Sequence, residues 1–382
     1  MPVPVAARAR LDALDGLRGI AIVLVVLSHG WTLWPTTFIT EDTWSATLFR
    51  SGDSAVTIFL VASGFLLFRS IAASTEHTQM QPLLVAVRRV IRVGPAMWLV
   101  LLAVMVVAVV DPTDKATATT NRDSVLHALT YTYNWLVQNN LTGTRADLGH
   151  LWYVSVDMQA VVIVSVIAFL LRRRPTWLLG FLAVLFVLLV LWRFHSYGVE
   201  NIFIVLNRTT ARMDAFVLGA LAAAVVPLLP RADGAYRVGA PVALVLTLPV
   251  LYWCRNDSSY LQLGGTVLEL LVAAFVVCAA MTPSRSSDLL GNRVLVTLGR
   301  MSLVIYLWHF PIFHFVSRHT NDWPWVWRAL VAFLATAAIS WATQVVLERR
   351  ISRLLARPEW QALRAGTWRP WDRRRHRVPT EG

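Results

Sequence analysis

The sequence predicts an all-α fold: a polytopic transmembrane helical bundle of about ten spans, with both termini cytoplasmic. Three observations predict it. Of the 382 residues, 56% are hydrophobic and only 15% are charged, where a soluble domain carries about 25% charged residues; the mean hydropathy is +0.56. Apolar stretches near the ~20 residues that a spanning helix needs recur along the whole chain. The formal charge of +13 gathers in segments that an inside-positive arrangement places on one side of a membrane. That placement explains the charge without nucleic acid, and no nucleic-acid partner is expected.

Long apolar segments fall at 17–37, 54–73, 93–111, 151–171, 177–195, 213–230, 238–254, 262–282, 299–317 and 325–347. A weaker segment at 124–138 is short and polar. If it crossed, the cluster Arg172, Arg173 and Arg174 would fall outside, against the charge rule, so it is placed at the surface. Ten spans then put Arg8, Arg10 and Arg18, the stretch from Arg69 to Arg92, Arg172 to Arg174, Arg231, Arg237, Arg285, Arg293, Arg300 and the arginines after residue 348 inside. The expected organisation is a membrane domain over 11–350 and a basic cytoplasmic tail over 351–382. In the tail, arginines and Trp360, Trp368 and Trp371 suit anionic lipid headgroups. No cleavable signal peptide is evident. Cys254 and Cys278 show no metal-ligand spacing, and no disulfide between them is expected.

Polar residues inside apolar segments are costly and are candidate functional positions. Arg18 and His29 lie in the first segment with ten uncharged residues between them. That is close to three helical turns, which puts both on one face, about 16 Å apart along the axis. Ser63 and Gly64 give the second segment a small face for close packing. Arg89 and Arg92 stand at i, i+3 on one face of a helix at the cytoplasmic surface. Asp157, Gln159 and His150 fall near the outer half, Arg212 and Asp214 at the outer interface, and His309 about ten residues deep beside Pro311.

Each also has a plainer explanation. For His309 it is a hydrogen bond to a neighbouring helix; for Arg88, Arg208 and Arg212, snorkelling or the setting of topology; for Asp214, a structural partnership with Arg212. Asp157 is the hardest to dismiss, and depth allows it to pair with His29. A histidine oriented by a carboxylate is the usual general base for a hydroxyl. Paired arginines grip phosphate groups bidentately. Together these imply a phosphate-bearing donor from the cytoplasm and a hydroxyl-bearing acceptor, with a transporter using the same residues as a proton relay as the alternative.

The motifs occur in an ordered set: Arg18 to His29 within LDGLRGIAIVLVVLSH, then Ser63–Gly64–Phe65, Arg89 to Arg92 with Pro95 following, HLWYVSVD from His150 to Asp157, Arg212 with Asp214, and YLWHFP from Tyr306 to Pro311. Over about residues 11 to 350 this resembles the acyltransferase-3 family of integral-membrane acyltransferases, which O-acylate bacterial surface glycans, glycolipids and some macrolides. The resemblance implies a multi-pass protein of the inner (plasma) membrane with acyl-CoA as donor substrate and no bound cofactor or metal. It implies His29 as the catalytic residue and Arg18, Arg89 and Arg92 in the donor region; the depth argument adds Asp157 beside His29 as a second catalytic candidate. His150, Trp152, Arg212, Asp214 and His309 are then expected toward the substrate. The acceptor is expected to be a carbohydrate or glycolipid of the cell envelope, with a macrolide-type metabolite as the alternative. Two positions depart from the family pattern: Asp157 stands where glutamate is usual, and Phe310 where tryptophan is frequent. Some members carry a carboxy-terminal SGNH-type domain; this chain is expected to act without one, alone or with a separate partner.

Overall fold

The computed structural model describes residues 5–35, 43–72, 81–255 and 257–357. Among them there is no strand, and the chain is a bundle of α-helices. In order these are α1 (Val5–Leu33), α2 (Trp44–Arg50), α3 (Gly52–Ala72), α4 (Gln81–Val110), α5 (Ala118–Leu129), α6 (Tyr133–Asn139), α7 (Leu151–Leu170), α8 (Pro175–Val199), α9 (Ile202–Leu206) and α10 (Met213–Val225). There follow α11 (Asp233–Trp253), α12 (Asp257–Ser259), α13 (Gly265–Met281), α14 (Arg285–Leu290), α15 (Arg293–His319) and α16 (Trp325–Leu355). Among the described residues nine helices are long and apolar enough to cross a membrane, and Met213–Leu228 is a shorter apolar stretch. Most of the basic tail expected over 351–382 lies outside the described residues.

The weak segment at 124–138 is not one helix. It breaks between α5 and α6 at Tyr131, whose φ of 54° is left-handed backbone, a conformation that few non-glycine residues adopt. The amide of Gln159 on α7 holds the Tyr131 carbonyl at 2.7 Å.

Helix directions follow from the contacts. Arg18 meets Ser302, His29 meets His309 and Trp34 meets Phe313, so α1 and α15 run parallel. Asp53 meets Arg212 and Val61 meets Gly219, so α3 and α10 run parallel as well. Successive crossings alternate in direction. α3 and α10 are therefore parallel only if 124–138 does not cross, and α1 and α15 only if α10 does.

Small residues let these pairs close. A Cβ on Gly299 would collide with the backbone carbonyl of Asp15, and one on Gly19 with that of Leu295. α1 and α15 therefore touch backbone to backbone. Gly64 and Gly219 do the same where α3 crosses α10, the small-residue contact that packs helices closely in lipid. The first helix begins well before residue 17, the expected start of the first span. Its early charges have partners: Arg300 on α15 reaches Asp12 at 2.7 Å and Asp15 at 3.2 Å.

Candidate active site

The α1–α15 contact brings His29 against His309. Nδ1 of His29 lies 2.7 Å from Nε2 of His309, and the two rings are near-parallel with centroids 5.0 Å apart. Nδ1 of His309 faces the backbone carbonyls of Tyr306 at 2.7 Å and Ile305 at 3.1 Å on its own helix. Phe310 tilts over His29 with ring centroids 4.5 Å apart. His309 is fully buried, whereas His29 is half-buried.

A third histidine joins from the residue just before α7. His150 packs edge-on against His309 at 5.5 Å and against Phe310 at 5.2 Å. Its Nε2–H donates to the carbonyl of Leu307 at 3.2 Å. That carbonyl is available because Pro311, four residues on, has no N–H to return to it. The hydroxyl of Tyr306 donates in turn to the backbone carbonyl of His150. The proline in YLWHFP thus opens a backbone acceptor, and the histidine of HLWYVSVD occupies it. Nδ1 of His150 is buried with no hydrogen-bond partner.

The arginine end lies elsewhere on the same helices. Arg18 donates to Ser302 at 2.9 Å and pairs with Asp15 at 3.4 Å. Arg89 donates to Asp157 at 2.9 Å and to Ser63 at 3.2 Å. Arg92 is exposed and has no ion-pair partner among the described residues. Two expectations change here. Asp157 does not orient His29: its one bonded oxygen goes to Arg89, and Oδ1 is buried without a partner. Seven residues of helix separate it from His150, about 10 Å of rise, which carries it from the level of the histidines to that of Arg89. Arg89 and Arg92 do not act as a matched pair either, since one is tied to a carboxylate and the other is open.

Arg212 and Asp214 also part company. Arg212 is fully buried; Nη2 reaches Asp53 at 3.2 Å, and the guanidinium lies over Trp152 at 5.1 Å and Tyr260 at 4.6 Å. Its Nε and Nη1 have no hydrogen-bond partner. Asp214 pairs instead with Arg193 at 2.6 Å, and Arg193 pairs with Glu269 at 2.6 Å as well, all three without solvent exposure. Asp214, expected to face substrate, is therefore sealed inside a structural triad. Arg193 and Glu269 went unnoticed in the sequence, although a charge within an apolar segment was the signal for both.

The connection between α4 and α7 closes over the far end of α15. Arg145 reaches Asp114 at 2.6 Å and Asp147 at 2.7 Å, and Arg318 lies 3.6 Å from Asp111. Burial works against ionisation of Asp114. The hydrogen bond from Arg145, the N–H of Ala116 and the charges of Arg145 and Arg318 outweigh it and hold the carboxyl below its ordinary value. The Thr113 hydroxyl chiefly does the same for Asp111, against some desolvation and aided by the Thr113 N–H, His319 and Arg318. Among the described residues no group of three or more His, Cys, Asp or Glu is arranged to hold a metal ion.

The histidine cluster and the arginine level thus lie on the helices of one polytopic bundle. The chain belongs to the acyltransferase domain family, acyltransferase-3, which matches residues 11–345. It is similar to the peptidoglycan O-acetyltransferase OatA of Listeria monocytogenes serovar 1/2a, 23% identical over 358 residues covering 87% of this chain and 54% of that one. It is similar also to the O-acetyltransferase OatA of Staphylococcus aureus strain NCTC 8325, 24% identical over 327 residues covering 81% and 51%. The chain thus spans about half the length of the curated relatives it matches. No solved structure matches it.

Proposed function

We infer that this protein is an O-acyltransferase of the plasma membrane that moves an acetyl group from acetyl-CoA to a hydroxyl of a cell-envelope glycan. The observation that carries this reading is the half-buried His29, held by the ring of His309 and packed against Phe310, with His150 behind them both. Family membership adds the reaction class, and the similarity to a peptidoglycan O-acetyltransferase of Listeria favours a peptidoglycan-type acceptor over a macrolide. Arg92, exposed and without an ion-pair partner among the described residues, and Arg18 are the groups best suited to the phosphates of the donor; Arg89 contributes chiefly by tying α4 to α7. The acceptor oxygen attacks the thioester carbonyl while His29 takes its proton. The C–S bond then breaks, and His29 returns the proton to the departing thiolate.

The test is purified protein in lipid vesicles with labelled acetyl-CoA and a peptidoglycan fragment. Label on an acceptor hydroxyl, lost by ~10²–10⁴-fold in folded His29→Ala, is the expected result. Thiol release or transport without acceptor labelling, or activity retained in His29→Ala, would overturn it. Arg92→Ala should raise the KM for acetyl-CoA and spare kcat.

A further inference from the structure

We propose that His309 is a positioning residue that holds His29 in one tautomer, with Nδ1 protonated and Nε2 free to accept the substrate proton. The inference rests on the acyltransferase reading above and deepens it. Nδ1 of His309 points at two backbone carbonyls, Tyr306 at 2.7 Å and Ile305 at 3.1 Å. Carbonyl oxygens only accept, so Nδ1 carries a proton. Neither His29 nor His309 has a carboxylate as an ion-pair partner among the described residues. A buried imidazolium without a counter-charge is costly, so the His309 ring carries that one proton. Its Nε2 is then a lone pair, and the 2.7 Å contact with Nδ1 of His29 requires that the proton between them sit on His29. Nε2 of His29 is left unprotonated. Among the described residues it has no hydrogen-bond partner, and it is not among the buried unpartnered atoms, so this edge of the ring remains reachable.

The arrangement has the logic of a base steered by an acceptor behind it, with a neutral ring in the place of the carboxylate. Inside a membrane that exchange has a reason, because a carboxylate at such depth needs a counter-charge at all times. As the acceptor O–H proton moves to Nε2 of His29, the ring becomes an imidazolium. Its Nδ1–H then donates more strongly to His309, whose own Nδ1–H leans on the Tyr306 carbonyl. When the C–S bond breaks, the proton leaves Nε2 for the thiolate and the relay returns to its starting state.

Two variants test this. His309→Leu fills much of the space but removes both ring nitrogens; His309→Gln places an amide oxygen where Nε2 stood. For each, acetyl transfer is measured alongside the side-chain ¹⁵N signals of His29, assigned by their loss in His29→Ala. In His309→Leu we expect kcat to fall by about 10²-fold, at the lower end of what acid–base participation supplies, with the donor KM unchanged and the His29 signals shifted toward a mixture of tautomers. In His309→Gln the Nδ1-protonated signature and part of kcat return. Full kcat in His309→Leu, or lost kcat with the His29 signature unchanged, would overturn the assignment. If wild-type protein transfers no acetyl group yet shows the His309-dependent signature, the positioning stands and the acyltransferase reading falls.

Discussion

Arg89 and Asp157 are joined at 2.9 Å between α4 and α7, and this pair, not one between Asp157 and His29, explains the carboxylate that HLWYVSVD carries into the membrane. The pair is lopsided: the aspartate side chain is 4% exposed and the arginine 31%. Removing the arginine therefore strands a buried charge, while neutralising the aspartate leaves an arginine that can reach solvent. Arg89→Ala should cost about 1–3 kcal/mol, discounted from a fully buried pair for the exposure of Arg89. Asp157→Asn should cost less, and adding Asp157→Asn to Arg89→Ala should recover part of the loss. Thermal unfolding in detergent measures all three, and equal losses in the two single variants would contradict this account.

The backbone contact between α1 and α15 predicts a steric effect with an internal control. Gly299→Ala drives a methyl into the Asp15 carbonyl and should cost about 1–3 kcal/mol or more, with acetyl transfer falling as His29 is pushed from His309. Gly180→Ala lies on α8 where a Cβ meets nothing within 4 Å. It should be neutral or stabilising by about 0.5–1 kcal/mol. Similar melting temperatures for the two variants would rule out the close approach.

Arg193 holds two carboxylates at once. Arg193→Leu leaves Asp214 and Glu269 without the cation that bridges them, in a site closed to water, and breaking such a buried pair costs about 3–5 kcal/mol. The triple variant Arg193→Leu, Asp214→Asn, Glu269→Gln should recover most of that loss. Expression level and melting temperature report the outcome. A triple variant no better than Arg193→Leu would mean that packing, not charge, dominates there.

The carboxylates over the end of α15 predict acid sensitivity. Asp111 and Asp114 are held below their ordinary values, so each contributes stability that is fully present above the unfolded value of about 3.9. That contribution is lost as pH falls through the lower folded value. The melting-temperature gap between wild type and Asp114→Asn should therefore be constant from neutral pH down to about 5 and close below about 4. A gap that stays open in acid would remove Asp114 from the ionic cluster.

Much of this was legible in the sequence, because hydropathy and loop charge register the cost of polar groups in lipid directly. The spans and the surface placement of 124–138 follow from that cost. Partner choice was not legible. His29 and His309 stood out singly, yet nothing local says that α1 and α15, 280 residues apart at these histidines, run parallel and touch. Depth alone lets Asp157 pair with His29, and a difference of two helical turns places it on Arg89 instead. Helical spacing put Arg89 and Arg92 on one face, but a face does not say which of them meets a carboxylate. Glu269 and Arg193 carried the same signal as Asp157 and passed unnoticed amid long leucine- and valine-rich runs.

The contact between Gly19 and Gly299 has a mechanical meaning. α1 continues through Arg18 and His29 as one helix, pressed against α15 by bare backbone with no side-chain cushion between them. Such a seam lacks slack. Between Arg18 and His29 the helix carries no proline and no break, so the two ends of this stretch are held as one rod, and their spacing is fixed by backbone rather than by side-chain rotamers.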